Sequence, residues 1–392
     1  MCRLRIITVI IFSVFLSFLF LLSYNFCYAN AENIENADIY TSAKSCIVLE
    51  ANTKEVLFAE NEKEQLPMAS TTKIMSTLLC LESGDLDSEF TVDSDAIKVE
   101  GSSMGLVEGD IVTKRALCYG MLLPSGNDAA GATAVKIAGS YEAFAEKMNA
   151  RAKEIGMTQT NFVTPSGLHD DNHYSTAYDM ALLTAEALQN PDFKEICSKT
   201  TAQVRFGNPP FDRWLKNTNK LLNMYENVIG VKTGFTDEAG RCLVSACTKN
   251  DVTLICVTLN DKNDWLDHSN LYDYIFSKIK IDTFPLPESL HIPVAGGTVE
   301  SVAIGVNQDL TYGTLSKIDP DFNWAVYAQP FLYAPVEENQ KVGILYCTCN
   351  GHEIAKIPLY TKESIEKIQP AEKETGIKTT MWGKIKSFLH LS

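Results

Sequence analysis

The sequence predicts an α+β protein: an antiparallel sheet carrying helices, followed by a small all-β domain and a C-terminal amphipathic helix. Three observations lead there. β-rich hairpin runs flank a helical middle segment, the texture changes to short β runs with frequent turns beyond Pro285-Leu286-Pro287, and the last residues set apolar side chains at helical spacing. With 392 residues, 45% hydrophobic and 21% charged, the chain is globular material long enough for a large core and a second domain.

At the N-terminus, Arg3 and Arg5 precede an uncharged apolar run from Ile6 to Leu22, and Ala29-Asn30-Ala31 follows as a small-x-small cleavage site. This predicts a signal peptide over residues 1–31 and an exported mature chain. The length of the run also suits an uncleaved N-terminal anchor. Lipidation at Cys27 fits worse, because the preceding Tyr24-Asn25-Phe26 is bulky and polar. A net charge of −15 disfavours a nucleic-acid partner, since phosphates would be repelled. Of the 11 cysteines, Cys2 and Cys27 leave with the signal, and an odd remainder cannot all pair within one chain. Contexts such as Leu79-Cys80, Leu117-Cys118 and Ile255-Cys256 predict small buried hydrophobes. Cys347-Thr348-Cys349 reads as strand alternation, because no second Cys/His pair stands nearby at metal-finger spacing.

The first domain, residues 32–282, opens with a hairpin formed by Ser45–Glu50 and Val56–Ala59. A helix is predicted from Ser70 to Leu81, with Ile74, Leu78 and Leu81 on one face and Ser70 at its start. Further helices are expected over Thr113–Leu123, Asp128–Ala138 and Tyr141–Ile155, with Pro124-Ser125-Gly126-Asn127 as the turn between the first two. Val228–Val231, Cys242–Cys247 and Val252–Leu259 read as strands, and Leu266–Ile279 as a closing helix. An all-β domain follows over residues 288–361, then a charged linker over 362–376. In the final segment, 377–392, Ile377, Met381, Trp382, Ile385, Phe388 and Leu389 share a helical face beside Lys378, Lys384 and Lys386. A basic amphipathic helix with aromatic residues is the pattern of an in-plane membrane anchor.

The chemistry points to Ser70-Thr71-Thr72-Lys73, Ser125-Gly126-Asn127 and Lys232-Thr233-Gly234. A serine hydroxyl needs a base within hydrogen-bond reach, and on a helix position i+3 supplies one, so Lys73 can serve Ser70. For this Lys73 must lose its proton near neutral pH, which burial and a second cation such as Lys232 promote. Ser-x-x-Lys alone is unspecific, recurring at Ser277/Lys280 and Ser364/Lys367, and Ser-x-Asn recurs at Ser23-Tyr24-Asn25, whereas Lys-Thr-Gly occurs once. The order of the three elements and their placement at a helix start, an inter-helix turn and a strand end carry the signal. A Ser-His-Asp triad has no support, because no Gly-x-Ser-x-Gly elbow is present. His169 and His173 could suggest a metal pair, but Asp170-Asp171-Asn172 between them reads as a loop.

With these elements in place, Pro67-Met-Ala-Ser-Thr-Thr-Lys73, Leu123-Pro-Ser-Gly-Asn-Asp-Ala129, Thr164-Pro-Ser-Gly-Leu168, His173-Tyr-Ser-Thr-Ala-Tyr-Asp-Met180, Asn217-Thr-Asn-Lys-Leu-Leu222 and Gly230-Val-Lys-Thr-Gly-Phe-Thr236 resemble the low-molecular-mass penicillin-binding proteins, specifically the serine-type D-Ala-D-Ala carboxypeptidases. The resemblance implies a penicilloyl-serine transferase (β-lactamase-like) fold for the first domain. It also implies removal of terminal D-alanine from peptidoglycan pentapeptide stems, in peptidoglycan maturation and cell-shape or spore-cortex control. Carried over, Ser70 is the acyl-forming nucleophile, Lys73 its base and Ser125 a proton relay. Asn127 would bind the substrate amide, and Lys232 and Thr233 its terminal carboxylate. Gly234 would allow close approach of the substrate, and the Phe235 N–H would complete the oxyanion hole with that of Ser70. β-Lactams are implied as covalent inhibitors, with no metal or other cofactor, and the cell-wall side of the cytoplasmic membrane as the location. One departure is that Asp261-Lys-Asn-Asp-Trp-Leu-Asp-His268 lacks an Arg that relatives often carry there for the carboxylate. The alternatives are a class A β-lactamase, whose Glu-x-x-Leu-Asn pentapeptide is missing here, and a catalytically idle module, although Ser70, Lys73, Ser125 and Lys232 are all present.

Overall fold

The computed structural model describes residues 39–369, apart from 288, 308, 317–319 and 350. The predicted signal peptide, the amphipathic helix at 377–392 and residues 370–376 of the preceding linker lie outside the described residues. No helix among the described residues is long and apolar enough to cross a membrane.

Strand β1 (Ala43–Glu50) turns back into β2 (Val56–Glu60) as the hairpin pattern predicts. The buried Glu50 carboxylate closes that turn by accepting from Thr53 N at 2.5 Å and Thr53 Oγ1 at 2.8 Å. A 3₁₀ turn over Ala69–Thr72 leads into α1 (Lys73–Glu82). The short pair β3 (Glu89–Thr91) and β4 (Ile111–Thr113) precedes α2 (Lys114–Leu122), α3 (Asn127–Ala138) and α4 (Tyr141–Ile155). After α5 (Ala177–Ala187) and α6 (Pro191–Ser198) comes a hairpin, β5 (Thr201–Gly207) and β6 (Pro210–Lys216), that the sequence reading leaves unassigned. A single turn, α7 (Leu221–Met224), then leads to β7 (Val228–Thr236), β8 (Gly240–Lys249), β9 (Val252–Asp261) and α8 (Asp264–Lys278). Local chemistry sets the helix ends. Thr113, Ser140, Thr176 and Asn190 each cap a backbone N–H three residues on, and Gly139 and Gly156 end α3 and α4 in left-handed conformation.

The first-domain sheet runs β2-β1-β9-β8-β7, antiparallel throughout. Both its faces are covered, which is why its central strands read as continuous apolar runs. Cys242, Val244 and Ala246 of β8 join the core beneath helices α1 to α6. The alternate residue Ser245 faces α8, bonding His268 Nδ1 at 2.7 Å and Tyr272 Oη at 2.6 Å, and His268 Nε2 meets Thr258 Oγ1 at 3.0 Å.

Beyond α8, β10 (Lys280–Thr283) pairs with β13 (Thr311–Thr314), which lies between β11 (Leu290–Ala295) with β12 (Ser301–Gly305) and β14 (Phe322–Ala328). Together with β15 (Leu332–Tyr333), β16 (Lys341–Cys349) and β17 (His352–Thr361), a six-stranded sheet forms in the order β14-β16-β17-β12-β11-β15. It has its own core, centred on Val302, Leu345, Cys347, Cys349 and Leu359. The loop after β1 touches this region, with Asn52 Nδ2 donating to Thr311 O at 3.1 Å. The nine cysteines among the described residues are all buried and unpaired. Cys347 and Cys349 both point inward, and Thr348 between them is partly exposed.

Gly131 in α3 marks a tight helix contact. A Cβ there would lie 2.1 Å from Ala96 O and 2.3 Å from the Tyr141 hydroxyl that donates to the same carbonyl. Helix propensity favours alanine by about 1 kcal/mol, but overpacking against backbone costs about 1–3 kcal/mol. The net expectation is that Gly131→Ala lowers Tm by a few degrees in a thermal melt, and an unchanged or higher Tm would contradict the contact.

Candidate active site

Three segments meet at one amine. Lys73 is fully buried, and its Nζ lies 2.8 Å from Ser70 Oγ, 2.7 Å from Asn127 Oδ1 and 2.7 Å from the carbonyl oxygen of Ser166. None of these three partners carries a charge. Burial, and after it the charge of Lys232, lower the Lys73 pKa well below that of a free lysine, while Asp128 pulls weakly the other way. As a neutral amine, Lys73 can donate to Asn127 and Ser166 and turn its lone pair on the Ser70 hydroxyl, the arrangement of a general base.

The helix predicted from Ser70 to Leu81 begins as α-helix only at Lys73. Ser70 sits in the preceding 3₁₀ turn, where side chains three apart eclipse, so Ser70 and Lys73 stack more directly than an α-helical turn would allow. The reason for the tighter turn lies one residue upstream, where Ala69 takes φ +47° and cannot join a regular helix.

Pro124, Ser125 and Gly126 link α2 and α3, with Ser125 buried at φ +67° and Asn127 the first residue of α3. Asn127 Nδ2 donates to Glu100 O at 2.6 Å, so one amide end is tied to the loop before β4 and the other to Lys73. Each end keeps one further hydrogen-bonding position. Asp128 fastens the same loop, accepting from Ser103 Oγ at 2.6 Å, Met104 N at 2.9 Å, and Gly105 N and Leu106 N at 3.0 Å.

Strand β7 forms the opposite wall. Lys232 is buried, its Nζ donating to Thr233 O at 2.8 Å, and burial lowers its pKa to about 7. Thr233 Oγ1 meets Thr218 Oγ1 at 2.7 Å, and Thr218 N donates to Leu123 O at 3.1 Å, so the Asn217–Asn219 segment joins the Ser125 turn to the strand. A Cβ on Gly234 would stand 3.1 Å from Ser70 N, Met68 O and Ala69 Cβ. A side chain at 234 would force the strand and the Ser70 turn apart by a few tenths of an ångström, so glycine favours their close approach. The Phe235 side chain is exposed and takes no part. In the segment without the family arginine, Asp264 instead binds Arg241 of β8 at 2.6 Å, beside the Trp265 ring. Arg241 stands opposite Phe235 in the β7–β8 register.

Ser70, Lys73, Asn127, Lys232 and Gly234 are thus brought together, while Ser166, Thr218 and Asp128 receive no role from the sequence. His169 is exposed, whereas His173 is buried with both ring nitrogens committed to protein partners, which rules out a metal pair there. No group of three or more His, Cys, Asp or Glu side chains is placed to hold a metal among the described residues.

Residues 31–263 match the D-alanyl-D-alanine carboxypeptidase family, peptidase S11. The chain belongs to that family. Residues 288–367 further match the C-terminal domain of penicillin-binding protein 5. Among family relatives, the Bacillus subtilis D-alanyl-D-alanine carboxypeptidase DacF is 31% identical over 376 residues, covering 92% of this chain and 95% of its own. The solved D-alanyl-D-alanine carboxypeptidase DacD of Francisella tularensis superposes with a TM-score of 0.60 at 25% identity, covering 87% of this chain and 100% of its own. Penicillin-binding protein 5 of Haemophilus influenzae gives 0.60 at 26% identity, covering 84% and 99%. These matches fix the first domain as the penicilloyl-serine transferase fold.

Gly234 supplies a direct test of the strand's approach. Gly234→Ala is expected to slow acylation of Ser70 by labelled penicillin about tenfold or more, because sub-ångström displacements at a reacting centre are costly. Its Tm should stay close to that of the parent, and acylation at the parent rate would refute the geometry.

Proposed function

We propose that this protein is a serine-type D-Ala-D-Ala carboxypeptidase that removes the terminal D-alanine from peptidoglycan pentapeptide stems through a Ser70 acyl-enzyme. The observation that carries the reading is the buried Lys73 amine, 2.8 Å from Ser70 Oγ and without a charged hydrogen-bond partner. Family membership supports it. Neutral Lys73 takes the Ser70 proton as Oγ attacks the penultimate D-Ala carbonyl. The developing oxyanion is met by the N–H groups of Ser70 and Phe235. Ser125 relays the proton that Lys73 took to the D-Ala amine as the C–N bond breaks, which leaves Lys73 neutral again, while Lys232 and Thr233 hold the terminal carboxylate and Asn127 binds the substrate amide through its remaining positions. Water then hydrolyses the ester, with Lys73 again as base.

β-Lactams imitate the D-Ala-D-Ala terminus and acylate the same serine. The segment facing Lys73, Thr164–Leu168, contributes a backbone carbonyl and contains no carboxylate. This distinguishes the site from a class A β-lactamase and supports slow release of the penicilloyl group. Purified protein incubated with a peptide ending in D-Ala-D-Ala should liberate free D-Ala. With penicillin, mass spectrometry should find an adduct on Ser70 that lasts many minutes. Rapid turnover of that adduct would favour a β-lactamase, no adduct an idle module, and an adduct without D-Ala release would sink the carboxypeptidase reading.

The two lysines predict a bell-shaped pH dependence of kcat/KM. Lys73 must be neutral, so activity rises as pH increases through its lowered pKa. Lys232 must be charged to hold a carboxylate, so activity of the free enzyme falls as pH increases through about 7. Burial lowers both lysines, and the charge of Lys232 lowers Lys73 further. In Lys232→Arg the falling limb should disappear, since guanidinium keeps its proton. A falling limb unchanged in that variant would assign it to another group.

Export and anchoring complete the reading. The N-terminal signal would deliver the enzyme to the cell-wall side of the cytoplasmic membrane, and residues 377–392 would hold it on that surface. Truncation after residue 369 should shift the protein from the membrane to the soluble fraction without loss of D-Ala release.

A further inference from the structure

The ring of His173 is 3% exposed and stands against the edge of Phe162, with ring centroids 5.9 Å apart. Its Nδ1 receives two backbone donors, Val163 N at 2.9 Å and Thr164 N at 3.2 Å, so that nitrogen carries no proton. The proton therefore sits on Nε2, 2.8 Å from Thr72 Oγ1, and is donated to it. Having received that bond, the Thr72 hydroxyl directs its own hydrogen to the carbonyl of Ala69, 2.8 Å away. Thr72 is fully buried and Ala69 nearly so, which leaves water no part in the chain.

Ala69 is the residue this chain of donors reaches, and it adjoins Ser70. At φ +47° it occupies a region that alanine disfavours and that persists only where surrounding contacts impose it. The two backbone amides held by His173 belong to the loop whose next residues supply Pro165 O to Ser76 Oγ at 2.6 Å and Ser166 O to Lys73 Nζ at 2.7 Å. One imidazole thus spans both sides of the nucleophile and base.

We infer that His173 is a positioning residue. Through the Thr72 hydroxyl its Nε2–H fixes the Ala69 carbonyl and hence Ser70, while its Nδ1 fixes the loop that presents Ser166 O to Lys73. The tautomer matters because imidazolium could not accept from Val163 and Thr164. Burial lowers the His173 pKa to about 4, with the carboxylate of Asp170 opposing and His169 reinforcing that shift, so the neutral ring persists at physiological pH. The inference rests on Ser70 being the nucleophile.

Two pairs of variants separate positioning from bulk structure. Thr72→Val keeps the shape but removes the relay, and should lower the second-order rate constant of Ser70 acylation by labelled penicillin about tenfold, the worth of one buried hydrogen bond. D-Ala release should lose kcat with KM little changed, and Thr72→Ser should rescue both. His173→Gln places an amide N–H where Nε2 was but gives up the Nδ1 acceptor, and should acylate at a rate between the parent and Thr72→Val, whereas His173→Asn preserves the Nδ1-type acceptor, loses the relay and should resemble Thr72→Val. Equal loss in Gln and Asn variants, in step with their Tm, would overturn the inference in favour of a packing role, as would parental acylation by Thr72→Val. Should Thr72→Val fail to fold, the Gln and Asn comparison decides alone. Failure of the parent itself to form a Ser70 adduct would instead sink the carboxypeptidase reading.

Discussion

A lysine amine buried without a counter-ion in hydrogen-bond contact is the constraint on which the rest of this structure depends. Taking an ammonium out of water is so unfavourable that the group sheds its proton before it tolerates the site. The fold exploits this by surrounding Lys73 with a hydroxyl, a side-chain amide and a backbone carbonyl, drawn from the Ala69–Thr72 turn, the start of α3 and the Thr164–Leu168 loop. A carboxylate in any of those three places would hold the proton on Lys73 and end its use as a base. The nearest acidic influence, Asp128, is instead fully engaged by Ser103 Oγ and the amides of residues 104–106. Lys232, buried on β7, then adds repulsion that favours the neutral amine further.

Much of this was legible in the sequence, for physical reasons that differ by residue. Ser70 and Lys73 announce themselves because their side chains carry the chemistry and their spacing has a geometric meaning. Lys232-Thr233-Gly234 follows a β-rich run and is unique in the chain. Ser166 could not be found this way, because what it contributes is a backbone carbonyl, which every residue possesses. Thr218 and Thr72 are short hydroxyl residues whose partners lie 15 and 101 positions away, and local pattern is blind to such distances. His173 is visible in the sequence only as a metal ligand or loop residue, since sequence shows the imidazole and not the amides around it.

The same division holds for the fold. The central strands were read from apolar runs because both faces of the sheet are covered, by helices α1 to α6 on one side and α8 on the other. The hairpin of β5 and β6 leaves no clear sequence signal because much of it faces solvent, with Phe211 and Trp214 exposed, so burial imposes no clean alternation on it. The helix start was misplaced by three residues for a different cause. Left-handed alanine at position 69 is imposed by tertiary contacts and contradicts the local preference of the residue.

That alanine is also where the two halves of the site meet. A Cβ on Gly167 would fall 1.9 Å from Ala69 O, and one on Gly234 would fall 3.1 Å from Ala69 Cβ, so a loop and a strand press on this residue from separate directions. Left-handed backbone costs an alanine about 1–2 kcal/mol, a conformation it keeps only if those neighbours and the Thr72 hydroxyl together outweigh the preference. The nucleophile is consequently held by a conformation the local chain would not choose. Its geometry is set by the assembled domain, because the Thr164–Leu168 loop that presses on Ala69 also supplies Ser166 O to Lys73, and β7 packs against the same turn from the other side.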